Sequence, residues 1–153
     1  MPESAIRTAI YNILSAVTNI GKVYDYERWA ADWTTFINLF KTTIATVEQI
    51  RGWEISRRSV GEKQAIIKMG SQAHEDDHTY VIRGYMGVND ASATEKTFNA
   101  LIESVRTAFR DNKNLNGTCE RQGRIQASII EFRLFGGVLC HYAELTLTVY
   151  ERI

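Results

Sequence analysis

From Ala143 to Val149 the residues alternate without a break: Ala143, Leu145, Leu147 and Val149 are apolar, and Glu144, Thr146 and Thr148 are polar. Successive side chains on a strand point to opposite faces, so this run offers one face to a core and the other to water. It commits the chain to an antiparallel sheet packed on one side. The run before it, about Ile125 to Phe135, reads as its partner. Between them Gly136-Gly137 is a strong hairpin signal, because glycine enters the positive-φ region freely. The closing strand is then placed at about Val138 to Glu151.

A sheet with one buried face needs a second layer, and three segments have the period to supply it. In the first, Ile6, Ile10, Ile13, Leu14 and Val17 fall along one stripe of a 3.6-residue helix. Pro2 and Glu3 suit its first turn, and Asn19 and Gly21 its end. The second is predicted from about Glu27 to Lys41, with Ala30, Trp33, Ile37 and Phe40 on one stripe and Phe36 beside it. Its tryptophans, Trp29 and Trp33, are read as anchors of the core or of a subunit interface. The third opens on Ser92, which with Glu95 spells the capping box S-x-x-E, and buries Phe98, Leu101, Ile102, Val105 and Phe109.

In the middle of the chain, Trp53 and Ile55 alternate with Glu54 and Ser56, which places a strand at about Glu48 to Arg58. Another is expected from His78 to Val88. Residues 59–77, with Gly61, Gly70, Ser71 and mixed charges, read as a long loop or hairpin arm, and Asp111 to Gly123 as a polar loop. The order helix, helix, hairpin, helix, hairpin predicts a single α+β domain over 1–153. It is a two-layer fold with a mostly antiparallel sheet of four to five strands, three helices packed mainly on one face, and the long arm.

Composition narrows the function classes. With 153 residues, 44% hydrophobic content and one proline, the chain folds rather than staying disordered. Its 18 basic and 18 acidic residues cancel, so no global field draws it to nucleic acid or a membrane. Arg106, Arg110, Lys113, Arg121 and Arg124 stand against only Asp111 and Glu120, and read as a solvated helix end and loop before a nucleic-acid patch. Cys119 and Cys140 make no disulfide framework and fit a reducing cytoplasm. No signal-peptide pattern and no bilayer-spanning apolar run is found.

The residues that could carry chemistry fall short of a site. His74, Glu75 and His78 spell H-E-x-x-H, the spacing by which a helix brings two imidazoles to one zinc with the Glu as base. The flanks carry no helical apolar period, so the match reads as a charged loop, with an adventitious ion on His74, Asp76 and His78 as the lesser option. Cys140 and His141 are adjacent and point apart on a strand. No glycine-rich loop opens a helix to cradle phosphate. Arg57, Arg58 and Lys63 read as a solvated hairpin end before an acidic-partner site. No catalytic residue, metal ligand or cofactor is assigned.

Taken together, IRTAIYNIL…IGKVYDYERW, IRGWEISRRS, the capped helix and the closing CHYAELTLTVYERI resemble the tail terminator (tail completion) proteins of long-tailed bacteriophages. The resemblance covers most of the chain except Val60 to Asp77, and rests on apolar spacing and a Gly-Trp strand. It implies an α/β domain that assembles as a ring, commonly a hexamer, on the head-proximal end of the tail tube. Such a ring stops tube polymerisation and offers a surface to the head–tail connector. DNA passes through its lumen without sequence-specific binding, no membrane is involved, and no catalysis is expected. The protein would be made in the host cytoplasm and end in the virion tail. Trp29 and Trp33 are then the expected subunit contacts, and Arg57, Arg58, Lys63 and Lys68 on the arm the expected contacts with the tube or another partner. The rival readings are another neck, connector or baseplate component, a small metallohydrolase built on His74, Glu75 and His78, and a ferredoxin-like binding module.

Overall fold

The computed structural model describes residues 3–68, 71–135 and 137–153, and the side chains of these except 65–68 and 71–73. Three helices, α1 (Glu3–Ser15), α2 (Trp33–Phe40) and α3 (Thr94–Arg110), combine with one seven-stranded sheet. The strands are β1 (Lys22–Tyr24), β2 (Lys41–Ile44), β3 (Val47–Lys68), β4 (Ser71–Gly87), β5 (Arg121–Gln122), β6 (Gln126–Phe135) and β7 (Val138–Arg152). The path runs β1-β3-β4-β7-β5, with β2 also on β3 and β6 also on β7. Every pairing is antiparallel except β1 with β3, so the fold is α+β and mostly antiparallel as expected.

Strand alternation assigns the two faces. Trp53 and Ile55 of β3, Tyr80, Ile82 and Met86 of β4, and Ala143, Leu145, Leu147 and Val149 of β7 meet α1 and α3 in the main core. From the helices come Ile6, Ile10, Ile13 and Leu14, and Phe98, Leu101, Ile102, Val105 and Phe109, the stripes their spacing predicts. The other face carries a smaller aromatic cluster of Phe36, Phe40, Tyr85, Cys140 and Tyr142, with Phe135 against it. Two helices therefore cover one face, and α2 covers the opposite one.

Both faces solve the same packing problem. Gly84 lies opposite Trp53 in the β3–β4 ladder and Ala143 lies opposite Gly84 in the next, so small residues leave a trough for the indole. A Cβ on Gly84 would sit 2.5 Å from the Trp53 ring. On the reverse face a Cβ on Gly52 would sit 2.2 Å from Phe40. Interiors are packed at crystal-like density, so these glycines mark where aromatic rings lie flat on backbone.

Several predicted boundaries move. The second helix begins at Trp33 rather than Glu27, because Asp32 caps it by accepting the Thr35 N–H at 2.7 Å. The Ser92–Glu95 box does not form. Asn89 takes the Ser92 N–H into a 3₁₀ turn, Ala93 enters the left-handed region at φ +52°, and α3 starts at Thr94. The segment 59–77 is a hairpin arm, with β3 and β4 paired from Arg51–Met86 to Lys68–Ser71. β7 pairs β4 only as far as Glu75, so the arm beyond continues as a two-stranded ribbon. A bulge at Arg58 shifts the register, exchanging which β3 residues face which side. The turns at Gly70 and Gly136 and the placement of Pro2 lie outside the described residues; Gly137 has φ +89°.

Candidate functional site

The 25–32 segment shows how the fold holds a side chain outward. Glu27 pairs with Arg83 at 2.9 Å, the Arg28 N–H donates to Glu54 Oε2 at 2.9 Å, and Arg7 donates to the Asp25 carbonyl at 2.9 Å. The Arg28 guanidinium stacks between the Tyr24 and Tyr26 rings, 4.6 and 4.9 Å from their centroids. With its backbone tied at two places and a side chain at a third, this loop leaves Trp29 81% exposed, and Trp33 at the helix start is 55% exposed. Of the two roles expected for these tryptophans, the core role is excluded. Phe36 and Phe40 fill that position instead.

A second apolar surface was hidden in the sequence. Ile130, Phe132 and Leu134 of β6 and Leu139 of β7 form an exposed row, with Leu134 66% exposed. The ladder pairs Ile130 with Ala143, Phe132 with His141 and Leu134 with Leu139, which puts the row on the α1/α3 face. Ile129 and Phe135 point to the other face, into the aromatic cluster. Read as a sequence, 129–135 is a strand with apolar residues on both sides, and nothing local says that only one side is covered. β6 pairs with β7 alone, so its outer edge is unpaired among the described residues.

The arm residues point to different surroundings. Arg57 and Arg58 are exposed, and Lys63 is an exposed lysine that pairs with Asp77 and lies 5.9 Å from the Tyr150 ring. Lys68 lies outside the residues whose side chains are described.

The H-E-x-x-H residues lie on β4, not on a helix or in a loop. Four residues of strand span about 13 Å, so His74 and His78 cannot chelate one ion as a helical pair does. His74 Nδ1 meets Glu62 at 2.6 Å, and buried His78 Nε2 meets Glu151 at 2.9 Å. A different grouping results: Asp76, His78 and Glu151 bring one ligand atom each within 4.8 Å of one another. This is the set of described residues that could hold a divalent ion, and it replaces His74 by Glu151, which the register sets opposite Asp76. Cys140 and His141 do diverge. Cys140 enters the aromatic cluster, while His141 Nε2 lies 2.8 Å from Thr94 Oγ1 and its ring stacks on Phe98.

Buried charge concentrates at Glu54. Burial pushes this carboxyl above the usual range, although the Arg28 N–H and the Tyr85 hydroxyl, at 2.7 Å, hydrogen-bond to it. Burial and the Glu54 carboxylate raise the Tyr85 phenol in turn. In the sequence Glu54 falls on the polar side of its strand, which holds for the strand but not for water, because α2 and the 25–32 loop cover that side.

Compared with protein-family models the chain matches none, and no curated protein matches it.

Proposed function

We propose that this chain is a structural protein of a long-tailed phage. In this reading it forms a ring on the head-proximal end of the tail tube, ends tube growth and presents the surface to which the connector binds. The observation that supports it best is the pair of separate exposed apolar surfaces, one on each face of the sheet. These are Trp29 with Trp33, held out by a pinned loop, and the Ile130–Phe132–Leu134–Leu139 row beside an unpaired strand edge. A closed ring needs two different complementary patches, so that each subunit uses one to meet its neighbour's other. The sequence resemblance supplies the phage tail and the hexamer. Exposed aromatic anchors fit subunit contacts, since aromatic residues dominate interface energetics. The arm, with Arg57, Arg58 and Lys63 exposed, is assigned to the tube or a second partner. No reaction is assigned to the protein.

The test is capping of purified tail tubes. Mass photometry and negative-stain images, with and without tubes, should show the wild-type chain as a ring on one tube end. Phe132→Ser with Leu134→Ser should fold but lose the ring, while Arg57→Ala with Lys63→Ala should form rings that no longer hold the tube. A serine variant that caps as wild type does would sink the reading.

A further inference from the structure

The five cations of the 106–124 region gather around one cleft. Arg106 and Arg110 on the last turns of α3 and Lys113 just beyond it stand at i, i+4 and i+7, on one side of a cavity of about 420 Å³. Arg121 of β5 and Arg124 after it line the same cavity, with buried Phe109 and Ile125. No carboxylate is among the lining residues. In a chain of zero net charge, five positive groups around one cavity is a local excess of one sign.

Two of the five have partners. Arg106 reaches Glu103 at 2.9 Å, and Arg121 reaches Glu75 at 3.1 Å with its guanidinium 3.9 Å from the centre of the Tyr150 ring. The side chains of Arg110, Lys113 and Arg124 make no hydrogen bond or ion pair among the described residues. The helix end does not use up their charge. The Gln122 side-chain amide donates to the carbonyls of Phe109 and Asn112, tying off groups that would otherwise repel an anion.

We infer that this cleft is a binding site for a compact polyphosphate, with Arg110, Lys113 and Arg124 as its direct contacts and Arg106 and Arg121 as the fixed flanks. Five cations around a volume this small suit a ligand whose charge is dense and whose oxygens point in several directions. An extended acidic peptide offers its carboxylates one at a time and would leave part of the ring unmet. Four of the five cations are arginines, whose planar fork pairs bidentately with phosphate. The phosphates could belong to a free nucleotide or to a DNA strand, and the site chemistry is the same for both. The inference is independent of ring formation.

The test is calorimetric titration of the whole chain, at 150 mM salt, with pyrophosphate, ATP, a 20-base-pair duplex and a hexa-aspartate peptide. Arg110→Glu with Lys113→Glu is compared with Lys22→Glu with Lys96→Glu, which changes the net charge equally at two exposed lysines outside the cleft. Thermal melts establish that both variants fold. Pyrophosphate and ATP should bind the wild type, and the first variant should weaken them on the order of tenfold for each cation lost, while the second leaves them within about twofold. Duplex binding that exceeds ATP and falls in the first variant alone would identify DNA as the source of the phosphates. The proposal is overturned if no phosphate ligand binds, if both variants weaken binding equally, or if hexa-aspartate binds more tightly than pyrophosphate.

Discussion

Replacing Gly84 by alanine tests the packing logic of the main core at one atom. The added methyl would meet three carbons of the Trp53 ring at 2.5, 2.6 and 2.7 Å, well inside van der Waals contact. Relief by moving the indole is blocked. Trp53 is fully buried, with the Phe98 ring stacked 6.1 Å away. Relief by moving β4 is blocked too, because β3 and β7 hold it on both edges. Overpacking of a closed core costs about 1–3 kcal/mol, and a trough shut on all sides belongs in the upper half of that range. For a chain of this length each kcal/mol lowers Tm by roughly 2–4 °C, so a loss of about 4–12 °C is expected. Scanning calorimetry with urea titration measures it, the m-value staying constant if only the folded state is affected. Gly61→Ala is the control, since nothing lies within 4 Å of its Cβ position, and it should change stability by less than about 1 kcal/mol. Trp53→Phe in the Gly84→Ala background should recover part of the loss, giving a coupling of about 1 kcal/mol or more. A Gly84→Ala melt within about 1 °C of wild type, or full additivity with Trp53→Phe, would refute the account.

Stability should depend on pH through two opposed sets of carboxyls. Burial raises Glu3 and Glu144, but Arg7 and Tyr80 for the first, and Tyr142 and Arg83 for the second, outweigh it and hold both below the usual range. Their contribution is present above the unfolded-state value and fades as pH falls through the lower folded one. Glu54 is raised, so its contribution is present below the unfolded value and fades as pH rises through the folded one; Glu54→Gln should remove that second slope in urea titrations at stepped pH and leave the acid limb unchanged. Burial pushes the Cys119 and Cys140 thiols up to about 11, so both should react with a disulfide reagent at pH 8 on the order of a hundredfold more slowly than in urea. Cys140, fully buried, should be slower than half-buried Cys119, and stoichiometric labelling of both in the folded protein within minutes would contradict the prediction.

What the sequence made readable follows from period and length. α1, α3 and β7 carry their apolar residues at one spacing over 13 to 17 residues, and each stripe lies where its period puts it. β1, β2 and β5, two to four residues each, are too short to show a period. β2 was further concealed by its turn, where Ala45 and Thr46 take φ +49° and +68°, positions usually signalled by Asn or Gly. The exposure of the tryptophans was concealed for another reason. Trp33 fits the helical stripe of Ala30, Ile37 and Phe40, but Asp32 starts the helix later and the aromatic cluster takes Phe36 and Phe40. The cation cleft was legible as composition and invisible as geometry, because its two sides join only when β5 pairs with the end of β7.

β7 stands between β4 on one side and β5 and β6 on the other, although it comes last in the fold. Its bonds to β4 join residues from 53 positions apart, Gly87 with Cys140, to 77 apart, Glu75 with Arg152. Topology of that kind makes folding slow. It also sets a clock on the ribosome. After β4 is made, residues 88–152 must follow before its second edge is covered, and at roughly 5–20 residues per second that is about 3–13 s. For that interval the apolar face formed by Tyr80, Ile82 and Met86 lacks its last layer, and a strand from another nascent chain could take the place of β7. The closer the ribosomes stand on one message, the more such open edges meet, so the yield of folded chain should fall as their spacing shrinks.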